Sequence, residues 1–283
     1  MSLAALALVL AAAFLHAGWN IAAKRAGGSG PEFVWMFGLV SSVLFLPAAV
    51  IAAIVTDLDV DGETLLFMGG SGFFHAGYFT LLQRGYRTGD LSVVYPLARG
   101  TGPALSTIGA VLLLGERPSA VTLAGGALVV AGVLLIGLRP GHAEARSIEF
   151  GVGAGLFIAA YTLWDTHAVE DLAVAPLVQL WASDTVRAGV LTPYVWRRRE
   201  VAAATWAKHR PEVLAVAVLS PLAYVLVLTA LTISPVSAVA PAREVSVLLG
   251  VAFGVRQLQE GDARRRLIAA AAIAIGVIVL GVG

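Results

Sequence analysis

What most constrains this chain is a succession of apolar stretches, each about as long as a bilayer crossing, separated by short breaks rich in charge and turn residues. They fall at residues 3–23, 33–55, 65–83, 92–114, 119–138, 150–166, 173–195, 213–233, 236–255 and 267–282. A helix needs roughly 20 residues to cross a hydrocarbon core of about 30 Å. Within that core the backbone must satisfy its own hydrogen bonds, which admits only helices or closed barrels. The runs are rich in Ala, Leu, Val and Gly and show no period-two alternation, so they read as helices. The expectation is an all-α polytopic membrane protein of ten transmembrane helices.

Composition narrows the function classes. Charged residues make up 13% of the chain and hydrophobic ones 58%, against about 25% charged in an ordinary soluble domain. Ten spans with short loops consume nearly all of the 283 residues, so function is expected among the helices. A net charge of +1, with no basic patch interleaved with aromatics, speaks against nucleic-acid binding. Cysteine is absent, which removes disulfides and thiol chemistry. His16, His75, His142, His167 and His209 fall at no metal-ligand spacing, so no metal or cofactor is expected. Residues 2–15 lack the basic n-region of a signal peptide and read as the first helix.

The chain also repeats itself. Arg99 and Glu116 match Arg243 and Glu260 at an offset of 144. Gly132 and Gly137 match Gly276 and Gly281, and His16, Trp19 and Asn20 answer Tyr161, Trp164 and Asp165. These matches divide the chain into five-helix units at 1–140 and 146–283. An odd number of crossings turns the second copy upside down, so the expectation is a 5+5 inverted repeat. That architecture is characteristic of secondary transporters. Of the 19 Lys and Arg residues, Arg99, Arg187 and Arg243 lie within spans and Arg117 in an even loop. The other fifteen occupy the odd loops, and the positive-inside rule then puts both termini outside the cytoplasm of a bacterial-type plasma membrane.

The string Arg87-Thr-Gly-Asp-Leu-Ser-Val-Val-Tyr-Pro-Leu-Ala-Arg-Gly-Thr-Gly-Pro103, followed by Leu112-Leu-Leu-Gly-Glu-Arg-Pro118, resembles the fourth-helix signature of EamA-type transporters of the drug/metabolite transporter superfamily. Ser234 through Arg243, with Gln259 and Glu260, is a looser copy, and His16 through Arg25 is similar to first helices of one branch of that family. The resemblance covers nearly the whole chain. It implies a ten-helix secondary transporter, commonly an exporter of amino acids, related metabolites or xenobiotics, with a central cavity between the halves. It also implies cytoplasmic termini, against which the loop charges point the other way.

Ionisable groups deep in a span cost about 2.5–3.5 kcal/mol on insertion scales, so each calls for a partner or a task. Arg99 and Arg243, related by the repeat, are candidates to clamp an anionic group between the halves, with Glu244 beside Arg243. The competing reading is that each arginine pairs with an intramembrane acid and ties helices together. Pro103 frees the carbonyl of Arg99 and Pro241 that of Ser237, so both helices are expected to open locally. Asp184 and Arg187, spaced i, i+3, read as a self-neutralising pair. His16, Trp19 and Asn20 share one helix face, as do Tyr161, Trp164 and Asp165. Both faces are candidate cavity walls, with an interfacial aromatic belt as the alternative for Trp164 and Asp165. Tyr78, on one face with His75, and Tyr95, one turn before Arg99, complete the candidate set. His16, His75, Asp165 and Glu244 are candidates for proton coupling. The glycines of the fifth and tenth spans read as packing surfaces, with a dimer face as one use of them; Glu116 and Glu260 read as helix-start residues.

The expected partners are a small-molecule substrate and the lipid bilayer, in a monomer or homodimer. The leading function is an ion- or proton-coupled exporter working by alternating access, with a flippase of lipid-linked amphiphiles as the alternative. Enzymatic chemistry is not expected, because no nucleophile with base, paired acids or metal set stands at the midplane.

Overall fold

A computed structural model describes residues 1–26, 29–88, 91–137, 145–247 and 263–282. Within them run α1 (Leu3–Arg25), α2 (Gly30–Val55), α3 (Gly62–Thr88), α4 (Leu91–Leu113), α5 (Ala120–Gly137), α6 (Ala145–Glu170), α7 (Pro176–Trp196), α8 (Arg199–Leu231), α9 (Val236–Ala242) and α10 (Ala263–Val282). Five of them, α1, α2, α3, α6 and α8, are by themselves long and apolar enough to cross a membrane. The outward faces are uniformly oily: on α2, Leu44, Ile51 and Ile54 are 52%, 62% and 73% exposed. Such a surface would aggregate in water and is satisfied by lipid tails.

The packing of the first three helices of each half, and the α4–α9 and α5–α10 pairings, are kept when the two halves are exchanged, whereas α4 meets α6 far more extensively than the short α9 meets α1. α1 lies on α8 and α3 on α6, α2 meets α7, α5 meets α10, and α4 meets α9. Each contact maps onto itself or onto another when α1–α5 are replaced by α6–α10, which is what a five-plus-five pseudo-two-fold requires. The molecule is an all-α, ten-helix membrane fold built as an inverted repeat.

Small residues let these contacts close. A Cβ on Gly276 would lie 2.7 Å from the Gly125 carbonyl oxygen, and one on Gly132 2.8 Å from that of Ala269. The glycine faces of α5 and α10 are therefore spent on each other within one chain, so the dimer face expected there is an internal seam.

Three local expectations need correction. The sixth span was expected to end near Asp165, but α6 continues to Glu170, because buried Asp165 is hydrogen-bonded by Gln179 (2.9 Å) and by the Tyr224 hydroxyl. Asp165 is thus no interfacial residue. The stretch from Arg197 to Pro211, read as a break, is helical from Arg199 and bends at His209 (φ −122°, ψ 23°). Its Ala-rich sequence favours helix, and Pro211 disrupts the ladder just after the bend. Finally, α4 remains helical through Pro96 and Pro103, whereas α9 ends one residue after Pro241. Arg243 itself keeps helical φ/ψ and its N–H donates to the Val239 carbonyl at 3.1 Å; the change comes at the next residue, where Glu244 N–H donates to the Pro241 carbonyl three residues back. Gln259 and Glu260 lie outside the described residues.

Candidate functional site

Among the described residues, Glu32 is buried in the first turn of α2, and six Arg, Asp and Glu side chains are buried in the middle of the bundle: Arg99, Arg187, Arg243, Asp165, Asp184 and Glu244. Three are basic and three acidic, so their formal charges cancel. Such balance is what a low-dielectric interior demands, since an uncompensated charge there carries a desolvation penalty of several kcal/mol.

Arg99 from α4 and Arg243 from the end of α9 converge on Glu244. Arg99 Nη1 donates to Glu244 Oε1 at 3.3 Å and Nη2 to the Ser246 hydroxyl at 3.1 Å. Arg243 Nε lies 3.7 Å from the same Oε1. Arg99 Nε and Glu244 Oε2 stand 3.3 Å apart, yet neither completes a hydrogen bond, so the contact is an ion pair with poor alignment. Arg243 Nε and Nη2 are likewise buried without a hydrogen-bond partner. One carboxylate serving two guanidiniums leaves donors unspent and a local charge of +1.

A second cluster stands across the bundle. Arg187 Nη2 lies 2.8 Å from Asp184 Oδ1, Ser41 donates to the other Asp184 oxygen, and the Arg187 guanidinium sits over Phe37 (4.7 Å) and Phe79 (4.9 Å). The expected i, i+3 pair is present, and it also reaches the cavity.

Between the clusters lies a cavity of only about 30 Å³, walled by His16 and Trp19 of α1, His75, Tyr78 and Phe79 of α3, Arg99, Tyr161, Leu180, Ser183, Asp184, Arg187, and Ser220 and Tyr224 of α8. That is room for a water or two, far below the roughly 300–1,000 Å³ of small-molecule sites. A larger hollow of about 440 Å³ near Pro193, Tyr194, Arg197 and Arg198 is a shallow exposed groove that none of the six buried charges lines. The buried cavity is where the polar chemistry gathers.

Hydrogen bonds orient its wall. His75 Nδ1 is 3.0 Å from the Ser71 carbonyl and 3.1 Å from the Ser183 hydroxyl. A carbonyl only accepts, so we assign the proton to Nδ1, leaving Nε2 as an acceptor.

Of the residues singled out from sequence, His16, Trp19, His75, Tyr78, Arg99, Tyr161, Asp184 and Arg187 line the cavity. Tyr95 packs beneath the Arg99 guanidinium, 5.8 Å from ring centre to Cζ. Arg243 and Glu244 stand behind Arg99, off the lining, and Asp165 stands behind Tyr224. Two residues go elsewhere. Asn20 is turned back onto its own helix, its amide donating to the His16 carbonyl at 2.7 Å. Trp164 donates to the Phe67 carbonyl at 2.8 Å and stacks on the Phe67 ring at 4.3 Å, outside the lining. The repeat thus holds for His16 and Tyr161, which both reach the cavity, and fails for Trp19 and Trp164.

Sequence reasoning missed Phe79, Ser220 and Tyr224. The repeat carried a signal for them: at the offset of 145, His75 corresponds to Ser220 and Phe79 to Tyr224, and all four line the cavity.

Comparisons with known proteins bear on the fold and the family. A solved crystal structure superposes with a TM-score of 0.76, at 15% sequence identity, over 100% of this chain and 98% of the other; at that identity it speaks for the fold alone. Multidrug resistance protein EbrB of Bacillus subtilis (strain 168) is 41% identical over 75 residues, 26% of this chain and 62% of its own length. The model of the EamA-like transporter family matches twice, at residues 3–138 and 146–282. Ten helices in two like halves, closing over buried arginines and matched by that model along nearly their whole length, place the chain in the EamA-like transporter family of multi-pass membrane transporters.

Proposed function

We propose that this chain is a secondary transporter that exports a small organic metabolite carrying an acidic group, such as an amino acid or a related compound, by alternating access and coupled to a proton or another ion. The observation that carries the reading is Arg99: it lines the small central cavity, its Nε–H is ion-paired with Glu244 but completes no hydrogen bond, and Arg243 and Glu244 brace it from the other half. Charge-assisted guanidinium–carboxylate bonds are strong and directional, so an entering anion can take over donors that Glu244 leaves unspent. A cavity of about 30 Å³ between two like halves suits a carrier whose halves must part to admit its solute. The name of the Bacillus relative supports outward movement. Walls drawn from six helices, α1, α3, α4, α6, α7 and α8, favour a soluble substrate over a flipped lipid.

In this reading the five-helix units span 1–140 and 146–283, His16, Trp19, Tyr78, Tyr95 and Tyr161 shape the binding space, and Asp165, Asn20 and Trp164 support it. Both termini face away from the cytoplasm of a bacterial-type plasma membrane, and the protein works as a monomer or homodimer.

Purified protein in liposomes is screened for thermal stabilisation by amino acids, organophosphorus compounds and cationic drugs, then again with Arg99→Ala and Arg243→Ala. Acidic ligands are expected to stabilise the wild type, with the effect lost in Arg99→Ala and weakened in Arg243→Ala. Equal stabilisation of all three proteins sinks the arginine reading.

A further inference from the structure

The cavity wall is unusual in what it offers and what it withholds. Three of its buried N–H groups have no hydrogen-bond partner: Trp19 Nε1, Arg99 Nε and Arg187 Nε. Buried donors are normally satisfied, so the wall holds charged and indole N–H donors to spare; His16 Nδ1, also on the wall, is likewise without a partner. Its carboxylates are committed: Asp184 to Arg187 and Ser41, and, behind the wall, Asp165 to Gln179 and Tyr224. Glu244 is drawn on by both Arg99 and Arg243.

The rest of the wall is aromatic. His75 stacks on Tyr161 at 4.0 Å with 22° between planes, and Tyr224 meets both rings edge-on at 5.1 and 5.8 Å. Tyr78 meets Tyr161 edge-on at 5.8 Å, and Trp19 meets Phe79 at 6.0 Å. In the closed cavity these rings cover one another. Opening it to admit a solute separates them and bares their faces and edges, and a planar ring restores offset-stacked and edge-to-face contacts that a saturated ring of the same size cannot.

Building on the transporter reading above and narrowing its acids to those without an ammonium group, we propose that the cavity selects aromatic organic acids: the aryl ring takes the place that Tyr161, His75 and Tyr224 now fill for each other, and the carboxylate accepts from Trp19, Arg99 and Arg187. An aromatic box by itself also suits cations, but here two guanidiniums already stand in the wall and repel a visiting cation. On the wall itself an α-ammonium meets one carboxylate, Asp184, already held by Arg187 and Ser41, so an amino acid pays desolvation of that group without a free carboxylate at the cavity surface.

Full-length protein in liposomes is titrated calorimetrically with 3-phenylpropanoate, 3-cyclohexylpropanoate, phenylalanine and tetraphenylphosphonium. Phenylpropanoate is expected to bind about threefold to tenfold more tightly than its cyclohexyl counterpart, the range of one aromatic pair, and more tightly than phenylalanine, with tetraphenylphosphonium the weakest. Tyr161→Leu is expected to erase the phenyl-over-cyclohexyl preference while retaining acid binding. Trp19→Phe, which keeps a ring and removes the N–H, is expected to weaken all acids alike. The wild-type comparison decides the matter even if a variant fails to fold. Equal binding of the two propanoates, or binding of phenylalanine or the phosphonium at least as tight as phenylpropanoate, overturns the selectivity and leaves the transporter reading standing. Absence of binding by every one of the four overturns the selectivity too, and the broader thermal screen then separately decides whether any solute binds.

Discussion

Glu244 is the residue on which the buried polar centre turns, because one carboxylate holds guanidiniums from both halves. Removing one member of a buried ionic group while leaving the others costs about 3–5 kcal/mol. Glu244→Ala is therefore expected to lower the thermal unfolding midpoint far more than the double change Glu244→Ala with Arg243→Ala, in which Arg99 keeps Ser246 and loses its facing cation. A smaller loss in the single variant than in the double one refutes the shared-carboxylate arrangement. Sequence marked Arg99, Arg243 and Glu244 as anomalies because charge in an apolar run stands out. It did not reveal that Arg99 bonds to Glu244, 145 residues away, since nothing local encodes that partner. Glu116 is a similar case: it was expected at a helix start, and its carboxylate does accept from the backbone N–H groups of Val236 and Ser237 (2.6 and 3.0 Å). The helix it caps is α9 in the opposite half, where the first-turn amides are otherwise orphaned.

Among the elements, the seam between α5 and α10 depends on glycine, as does the contact of α4 with α6 at Gly102, Gly109, Gly151 and Gly155. At Gly276 a methyl group would meet backbone, the Gly125 carbonyl at 2.7 Å, which cannot rotate away as a side chain can. Gly276→Ala is expected to destabilise by about 1–3 kcal/mol, the usual range for overpacking. Gly69→Ala, where a Cβ meets nothing within 4 Å, is expected to be neutral or slightly stabilising, since alanine is the better helix former. Unfolding midpoints in detergent test the pair; equal losses mean that the seam is not close-packed. Helix positions were legible from apolar run length to within a few residues for most elements. The extensions of α6 past Asp165 and of α8 back to Arg199 were not, because polar residues that look like a membrane exit are in one case satisfied inside the bundle and in the other lie on a helix that bends at His209.

At the scale of the whole molecule, the loops divide their charge so unevenly that orientation becomes measurable. The chain has no cysteine, so single cysteines report cleanly. Asp59→Cys, in the acidic loop after α2, is expected to react with an impermeant maleimide from the cell exterior, and Arg199→Cys, at the start of α8, only from the cytoplasm. The reverse pattern refutes outward-facing termini. Apolar run length, the 144–145 offset and the odd helix count are properties of order along the chain, and they were enough for a membrane protein of ten helices in two opposed copies. Which buried charges meet, which aromatics leave the wall, and how far the cavity closes arose only on folding. Periodicity records whether a side chain avoids lipid or water; it carries no record of which distant side chain it will touch. That choice is made when helices far apart in sequence pack, and here packing turned Trp19 to the cavity, sent Trp164 to Phe67, and placed one carboxylate between two arginines.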